Sequence, residues 1–315
     1  VARVRKGTQR ASGAGWLVER IVEAGRELIA GSPGPVRACG VGFGGPVDFK
    51  EQRIIRSHHV PGWDDVPLPL ILSEAFGVPC VIENDAATAA IGEHRYGAGR
   101  GTRNMIYLTV STGVGGGIIL DGRPYRGSRG YAGEIGHLPV VAIDGASCAC
   151  GNRGCLEAYC SGPSIARRAQ EALEGLREAN ATTAGAGSPA AGSAASTADT
   201  GGSPASSAAT ARDVFAAAEH DPLMRRVVED TARYLGAAIA GVCNILDPER
   251  VVLGGGVSLS GESFIAAVRA EAHARLLHPG EGAPDIVQAA LGDDSVLWGA
   301  ASLAAELLGE RRQPD

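Results

Sequence analysis

The spacing of hydrophobic positions along this chain switches repeatedly between a helical and a strand-like rhythm. Residues 16–30, WLVERIVEAGRELIA, repeat apolar side chains at helical spacing and stop at Gly31-Ser32-Pro33. Residues 38–44, ACGVGFG, read as a buried strand. A helix is predicted over 68–76 after Pro67, and a strand over 78–82 that runs into Glu83-Asn84-Asp85. Residues 86–96 are strongly helical. NMIYLTVS (104–111) and GIILDG (117–122) read as strands joined by a tight glycine turn, which predicts a hairpin. A helix follows over 162–178. Another spans 213–246, with Met224, Val227, Val228, Leu235, Ile239, Val242 and Leu246 on one face and Asp247-Pro248 as its stop. RVVLGGGVS (250–258) is a strand entering a glycine turn, and LWGAASLAAELL closes the pattern as an apolar helix. Strands alternating with helices predict an α/β architecture.

The pattern fails over 180–210, where Ala, Ser, Gly and Thr replace nearly all large apolar residues. Such a segment cannot bury enough surface to offset its ordering entropy, so a disordered linker is expected. The whole chain is 315 residues, 44% apolar and 20% charged. That suits one large or two ordinary soluble domains. A net charge of −6 argues against a nucleic-acid surface. No apolar run reaches membrane length, and no secretory leader is recognisable. Seven cysteines, an odd number, do not suggest a disulfide framework. A reducing cytoplasm is the expected setting.

Chemistry concentrates in GEIGHLPVVAIDGASCACGNRGCLE, 133–157. His137, Cys148, Cys150 and Cys155 supply one imidazole and three thiolates, a complete tetrahedral set for zinc. With no coordination position left open, the ion would be structural rather than hydrolytic. The intervening CGNRGC is too polar for three core cysteines. Glu134 and Glu157 flank the set. The residues alone leave two roles open for them: accepting hydrogen bonds from the hydroxyls of a polyol, or orienting the metal ligands.

Other motifs are also two-sided. Asp85 stands where a strand meets a helix, as a general base facing a cleft or as part of a helix cap. The turn Thr112-Gly113-Val114-Gly115-Gly116-Gly117 offers bare backbone N–H groups to an anion, or is an ordinary glycine hairpin. Gly254-Gly255-Gly256 allows close approach of a nucleotide, or is a plain turn. Gly40 to Gly45 match a dinucleotide fingerprint by letters, but Pro46 and VDF follow instead of a helix.

Together, GVGFGGPVD (40–48), PGWDDVPL (61–68), ENDAATAAIGE (83–93), STGVGGGIILDG (111–122), GEIGH (133–137), CACGNRGCLE (148–157) and LDPERVVLGGGVS (246–258) resemble the ROK family of bacterial glucokinase-like sugar kinases and related regulators. The resemblance implies an actin-like, ribonuclease-H-like fold of two α/β domains around a cleft. A small domain would take 1–116, with the C-terminal helix 296–310 packed on it. A large domain would take 117–295, with a zinc loop at 133–160. The implied activity is ATP-dependent phosphorylation of a hexose, most simply at the 6-hydroxyl of glucose. Asp85 falls on the catalytic base. Gly45, Asn84, Asp85, Glu134, His137 and Glu157 fall on sugar contacts, and His137, Cys148, Cys150 and Cys155 on zinc ligands. Thr112, Gly113 and Gly115 fall on a phosphate loop, and Gly254, Gly255 and Gly256 on the adenosine side. ATP, Mg2+ and a structural Zn2+ are the implied cofactors. Hexose and ATP are the expected partners of a homo-oligomer, dimer or tetramer, with neither nucleic acid nor membrane.

Three departures stand out. The Asp-x-Gly-Gly-Thr loop with which the family opens is absent from this sequence. His58-His59 replace a common Pro-Asn, and Gly44 replaces a common Pro. The first departure has two readings: the sequence lacks its opening segment, or the protein has lost part of its nucleotide site, and the second leaves another function class open, a sugar-binding or regulatory relative that does not turn over. No helix-turn-helix precedes the domain, which disfavours a DNA-binding repressor.

Overall fold

The computed structural model describes residues 2–57, 60–185, 210–280 and 282–309. His58, His59 and residues 186–209 of the expected linker lie outside the described residues.

The first half opens with α1 (Gly13–Ala30), β1 (Cys39–Phe43), β2 (Val47–Asp48) and β3 (Arg53–Ile54). It continues with α2 (Leu68–Phe76), β4 (Cys80–Asn84) and α3 (Asp85–Tyr96). β1 pairs in parallel with β4, and β2 antiparallel with β3. Leu68 and Leu72 of α2 and Ile82 of β4 are fully buried in one cluster with Ile54 and Trp63. Each such side chain contributes roughly 1.5–3 kcal/mol. Gly77, left-handed at φ 70°, ends α2 and donates its N–H to the Ser73 carbonyl.

The second half holds β5 (Met105–Val110), β6 (Val114–Leu120), β7 (Arg123–Pro124), α4 (Glu157–Cys160) and α5 (Gly162–Gly185). After the undescribed stretch come α6 (Ala211–Ala217), α7 (Pro222–Leu246), β8 (Arg250–Gly254), α8 (Glu262–His273), β9 (Asp285–Gln288) and α9 (Ser295–Leu307). Five strands lie in the order β7-β6-β5-β8-β9; β5 runs parallel to β8, and β8 to β9. The period of two along β5 sorts its side chains between faces. Ile106, Leu108 and Val110 join a core with α5, α7 and α8. Met105 and Tyr107 join another with Ala89 and Ala90 of α3 and Leu303 of α9.

Three expectations need correction. The predicted helix 213–246 is two helices, because Asp221 caps a new start: its Oδ1 accepts from the N–H groups of Leu223 and Met224, and Pro222 takes the first position, where no N–H is needed. The helix predicted to end at 178 continues to Gly185, into the first residues of the segment read as linker. The stretch from 259 to 294, given no elements by the sequence, contains α8 and β9.

The glycines that imitate a dinucleotide fingerprint have a packing role. A Cβ on Gly40 would run into the Ala300 carbonyl, and one on Gly42 into the Val296 side chain. α9 therefore lies directly on β1. Glu93, at the far end of α3, is buried and ties the same region together. It accepts from the N–H groups of Ala98, Ala290 and Leu291 and from the Ser295 hydroxyl, at 2.7–3.0 Å. A buried carboxylate with four donors is stable where an unpaired one would not be.

Candidate functional site

The β4–α3 junction builds one wall. Asn84 is the N-cap: its Oδ1 accepts from the N–H groups of Ala86 (3.0 Å) and Ala87 (3.1 Å). Its Nδ2 donates to the Gly45 carbonyl at 3.1 Å, pinning the loop after β1. The cap alternative for this motif thus belongs to Asn84 rather than Asp85. Asp85 takes the first helical position, with Oδ1 accepting from the Ala86 N–H at 2.8 Å. Its Oδ2 points toward Gly44, where an added Cβ would lie 3.4 Å away. A carboxylate there is favoured by the helix N-terminus.

The 133–157 loop builds the other wall. His137 Nδ1 is 3.7 Å from Cys148 Sγ, and Cys150 Sγ is 3.7 Å from Cys155 Sγ. All four candidate ligand atoms lie within 4.8 Å of one another. Metal–ligand lengths of about 2.3 Å to sulfur and 2.0–2.1 Å to nitrogen give tetrahedron edges of about 3.6–3.8 Å. The set therefore fits zinc, and the sulfurs are too far apart for a disulfide. Burial and the neighbouring thiols push the Cys155 thiol up to about 12, so a cluster of thiolates needs a cation.

Both flanking carboxylates sit beside this set. Glu134 Oε2 is 3.8 Å from His137 Nε2, beyond a direct hydrogen bond. Glu157 begins α4; its Oε2 accepts from the Val114 N–H at 2.9 Å, and its Oε1 is 3.9 Å from Cys148 Sγ. Glu157 therefore links the ligand loop to the tip of the β5–β6 hairpin. Asn84 and Glu134 line one cavity, where the two walls meet.

The glycine turns are partly corrected. The hairpin tip is Ser111, Thr112 and Gly113, with Ser111 donating its N–H to the Gly113 carbonyl at 2.8 Å. Thr112 is exposed. Gly115, Gly116 and Gly117 lie inside β6, not in the turn. A Cβ on Gly117 would meet Ala90 at 2.5 Å, and on Gly116 the Gly133 carbonyl at 2.7 Å. One face of β6 thus receives α3, and the other receives the Gly133–Ile135 segment, which fixes Glu134. Gly254 ends β8 opposite Thr109, and Gly255, at φ 83°, turns beside Val110. Gly256 has open space around it. The two glycine turns therefore stand side by side at the ends of β5 and β8.

The family model described as "ROK family" matches residues 4–307. The chain belongs to the ROK family. Its relatives include a glucokinase of Halalkalibacterium halodurans, 34% identical, with 93% of this chain and 84% of the relative covered. Among solved structures, the ROK hexokinase of Thermus thermophilus gives a TM-score of 0.76 at 34% identity, covering 95% of this chain and 89% of that one. A ROK family glucokinase of Streptomyces griseus, solved in complex with glucose and AMPPNP, gives 0.71 at 34% identity, with 91% and 88% covered. These likenesses assign the ROK chain the actin-like α/β fold. Among its described residues no helix is long and apolar enough to cross a membrane.

Two residues at the cavity were missed by the sequence reading. Glu83 is buried beneath Asn84, and Arg126 Nε donates to its Oε2 at 2.6 Å. Nothing in PYRGSRGY distinguishes Arg126 from a solvated loop arginine. Its only local signal is proximity to the GEIGH motif.

Proposed function

We propose that this ROK protein is an ATP-dependent hexose kinase that transfers the γ-phosphoryl group of ATP to a sugar hydroxyl, the 6-hydroxyl of glucose in the first instance. The observation that carries this reading is the likeness, over nine-tenths of the chain, to a relative solved with glucose and AMPPNP. The placement of Asn84, Asp85, Glu134, His137 and Glu157 on two facing segments supports it.

Glu134 and His137 act as a matched acceptor and donor. Nδ1 lies toward Cys148 Sγ, and with Nδ1 given to the metal His137 would carry its proton on Nε2. The 3.8 Å between Nε2 and Glu134 Oε2 lets one hydroxyl accept from the imidazole and donate to the carboxylate, each at about 2.8 Å. Glu157 supplies a further acceptor through Oε1. A bound Zn2+ would be held by His137, Cys148, Cys150 and Cys155, and would hold the loop that carries these groups together.

Asp85 takes the proton of the attacking hydroxyl through Oδ2. Asn84 serves by fixing Asp85 on α3 and Gly45 beside it. Backbone N–H groups at Thr112 and Gly113 receive the phosphates, and Gly256 leaves room for the nucleoside. Mg2+ bound with ATP would supply neutralisation of phosphate charge, which leaves positioning and electrostatics to the chain's own residues. In this reading the half that carries β1 to β4, with α9, and the half built on the β7-β6-β5-β8-β9 sheet are two bodies that close on the cleft and exclude water; a boundary at 116 would cut β6 and part β5 from its sheet. The protein works in the cytoplasm as a homo-oligomer.

A coupled ADP-release assay across glucose, mannose, allose and N-acetyl hexosamines tests the proposal. Hexose-dependent ADP release is the expected result, with the highest kcat/KM on glucose. ADP release that no hexose stimulates would refute the kinase reading.

A further inference from the structure

The Glu83–Arg126 pair goes beyond the residues used above. Glu83 is 5% exposed at its side chain, and Arg126 27%. Glu83 Oε1 accepts from the Asn84 N–H at 3.0 Å, so the carboxylate is fixed by the backbone of the same junction that carries Asp85. Its Oε2 takes Arg126 Nε at 2.6 Å. The guanidinium carbon lies 3.6 Å from the centroid of the Phe49 ring, a cation–π contact. A planar fork is therefore held from one edge and one face, and little rotamer freedom remains to be lost when it binds something.

The arrangement leaves donors over. A guanidinium has five N–H groups, and Glu83 uses the one on Nε. Among the described residues no protein acceptor is placed on Nη1 or Nη2 of Arg126. The side chain lines the same cavity as Asn84 and Glu134. Pairing Glu83 with Arg126 also leaves Glu134 as the cavity's other acidic group, so the cavity offers acceptor and donor groups together. That combination suits a neutral polyol, whose hydroxyls both give and take hydrogen bonds.

We propose that Arg126 is a hexose-binding residue, whose Nη groups donate to one ring-hydroxyl oxygen of the bound sugar. The inference rests on the hexose-kinase reading. It adds a contact from the loop after β7, braced by Glu83 of β4, to those supplied by the 133–157 loop. A hydrogen bond to a charged donor, fixed before the sugar arrives, makes Arg126 a determinant of which hexose is accepted.

The test compares the wild type with Arg126→Gln on glucose and on the four monodeoxyglucoses that lack the oxygen at position 1, 2, 3 or 4. Arg126→Gln should lower kcat/KM for glucose roughly 10–100-fold, the loss expected for a hydrogen bond to a charged group. The KM for ATP should stay within about twofold. One deoxyglucose should give the same kcat/KM with both enzymes, because its missing hydroxyl is the partner of the missing guanidinium. An equal penalty on all five sugars, or none on glucose, would overturn the assignment. If Arg126→Gln does not fold, Arg126→Lys carries the same panel, since it keeps a cation beside Glu83 but loses the fork. Titration calorimetry with the same sugars decides the contact without turnover. A wild type that binds glucose but never phosphorylates it ends the kinase reading and leaves Arg126 to the calorimetry. Binding of none of the five sugars overturns the contact as well.

Discussion

The two walls of the site are held by different physics. At the β4–α3 junction the backbone is a strand feeding a helix, and its polar groups meet partners in the chain. Asn84 caps the helix and holds Gly45, while Glu83 is fixed by the Asn84 N–H and Arg126. Between β7 and α4 regular structure nearly vanishes. The short turn Ile135–His137 and the bridges Pro139↔Cys155 and Ser147↔Arg153 interrupt an irregular path. Backbone bonds such as Cys148 N–H to Asn152 and Gly154 N–H to Ala146 shape its turns, but they are local. Longer ties, Leu156 N–H to Leu138 and Val114 N–H to Glu157, anchor its ends, and the cluster of His137, Cys148, Cys150 and Cys155 gathers its middle at one point. One wall is specified by the ladder and the cap, whereas the other carries a Cys/His cluster at which, in the zinc reading, a cation would tie distant loop residues to one point.

Removing that cation is the largest perturbation the comparison allows. Apparent affinities of such ligand sets are on the order of 10–16 kcal/mol, and binding energy of this kind is folding energy. Chelation, or Cys150→Ser, should abolish zinc by elemental analysis, collapse amide protection across 133–157 and weaken glucose binding at least tenfold. Protection over 85–96 should survive. Equal loss in both segments would show that the walls form one cooperative unit.

Asp85→Asn comes next, and it acts on chemistry alone. Turnover should fall by roughly 10² to 10⁴ if the carboxylate is the general base. Because Asn84 is the cap, the unfolding free energy should move by no more than about 0.5 kcal/mol. Asp85→Ala is informative for the same reason, since it removes the base and leaves the cap. Steady-state kinetics beside urea unfolding give both readouts; unchanged kcat in either variant would rule out the base.

The smallest effect belongs to Asn84→Ala. Loss of an N-cap costs about 1 kcal/mol, within a range of roughly 0.5–2. The bond to Gly45 adds to that, while zinc content should not change. A variant that unfolds at the wild-type urea midpoint would mean that the helix start does not depend on this side chain.

The ligand cluster was legible in the sequence because its spacing and residue types repeat a coordination rule that survives without knowledge of the fold. α1, α2, α3 and the β5–β6 hairpin were legible because their apolar periods were uninterrupted. Gly115–Gly117 misled for a physical reason. Glycine marks turns when nothing else is known, but here it makes room for α3 on one face and for the Gly133–Ile135 segment on the other. Only tertiary contact distinguishes the two uses. The break at Asp221-Pro222 had a local signal, a cap residue before proline, that the long apolar stripe on either side obscured. The two-residue strands β2, β3 and β7 are too short for any period to emerge. Glu83 and Arg126 are 43 positions apart, and their pairing across the cavity leaves no trace in either neighbourhood. For Asp85, Thr112 and Gly254–Gly256 the residues alone offered two readings each, and only the family resemblance chose between them.

The direct seat of α9 on β1 has a consequence for how the chain is made. Gly40 lies against Ala300, 260 positions later in the chain. At synthesis rates of about 5–20 residues per second, the early strand waits roughly 13–50 s for its covering helix. During that interval the glycine-bearing face of β1 has no lid, while α1 and α2 already shield the opposite side. Contacts of such sequence separation also form late when the whole chain refolds, because the intervening segment must first lose its freedom. The strand that leads to Gly44 and Gly45 is therefore translated long before it is enclosed.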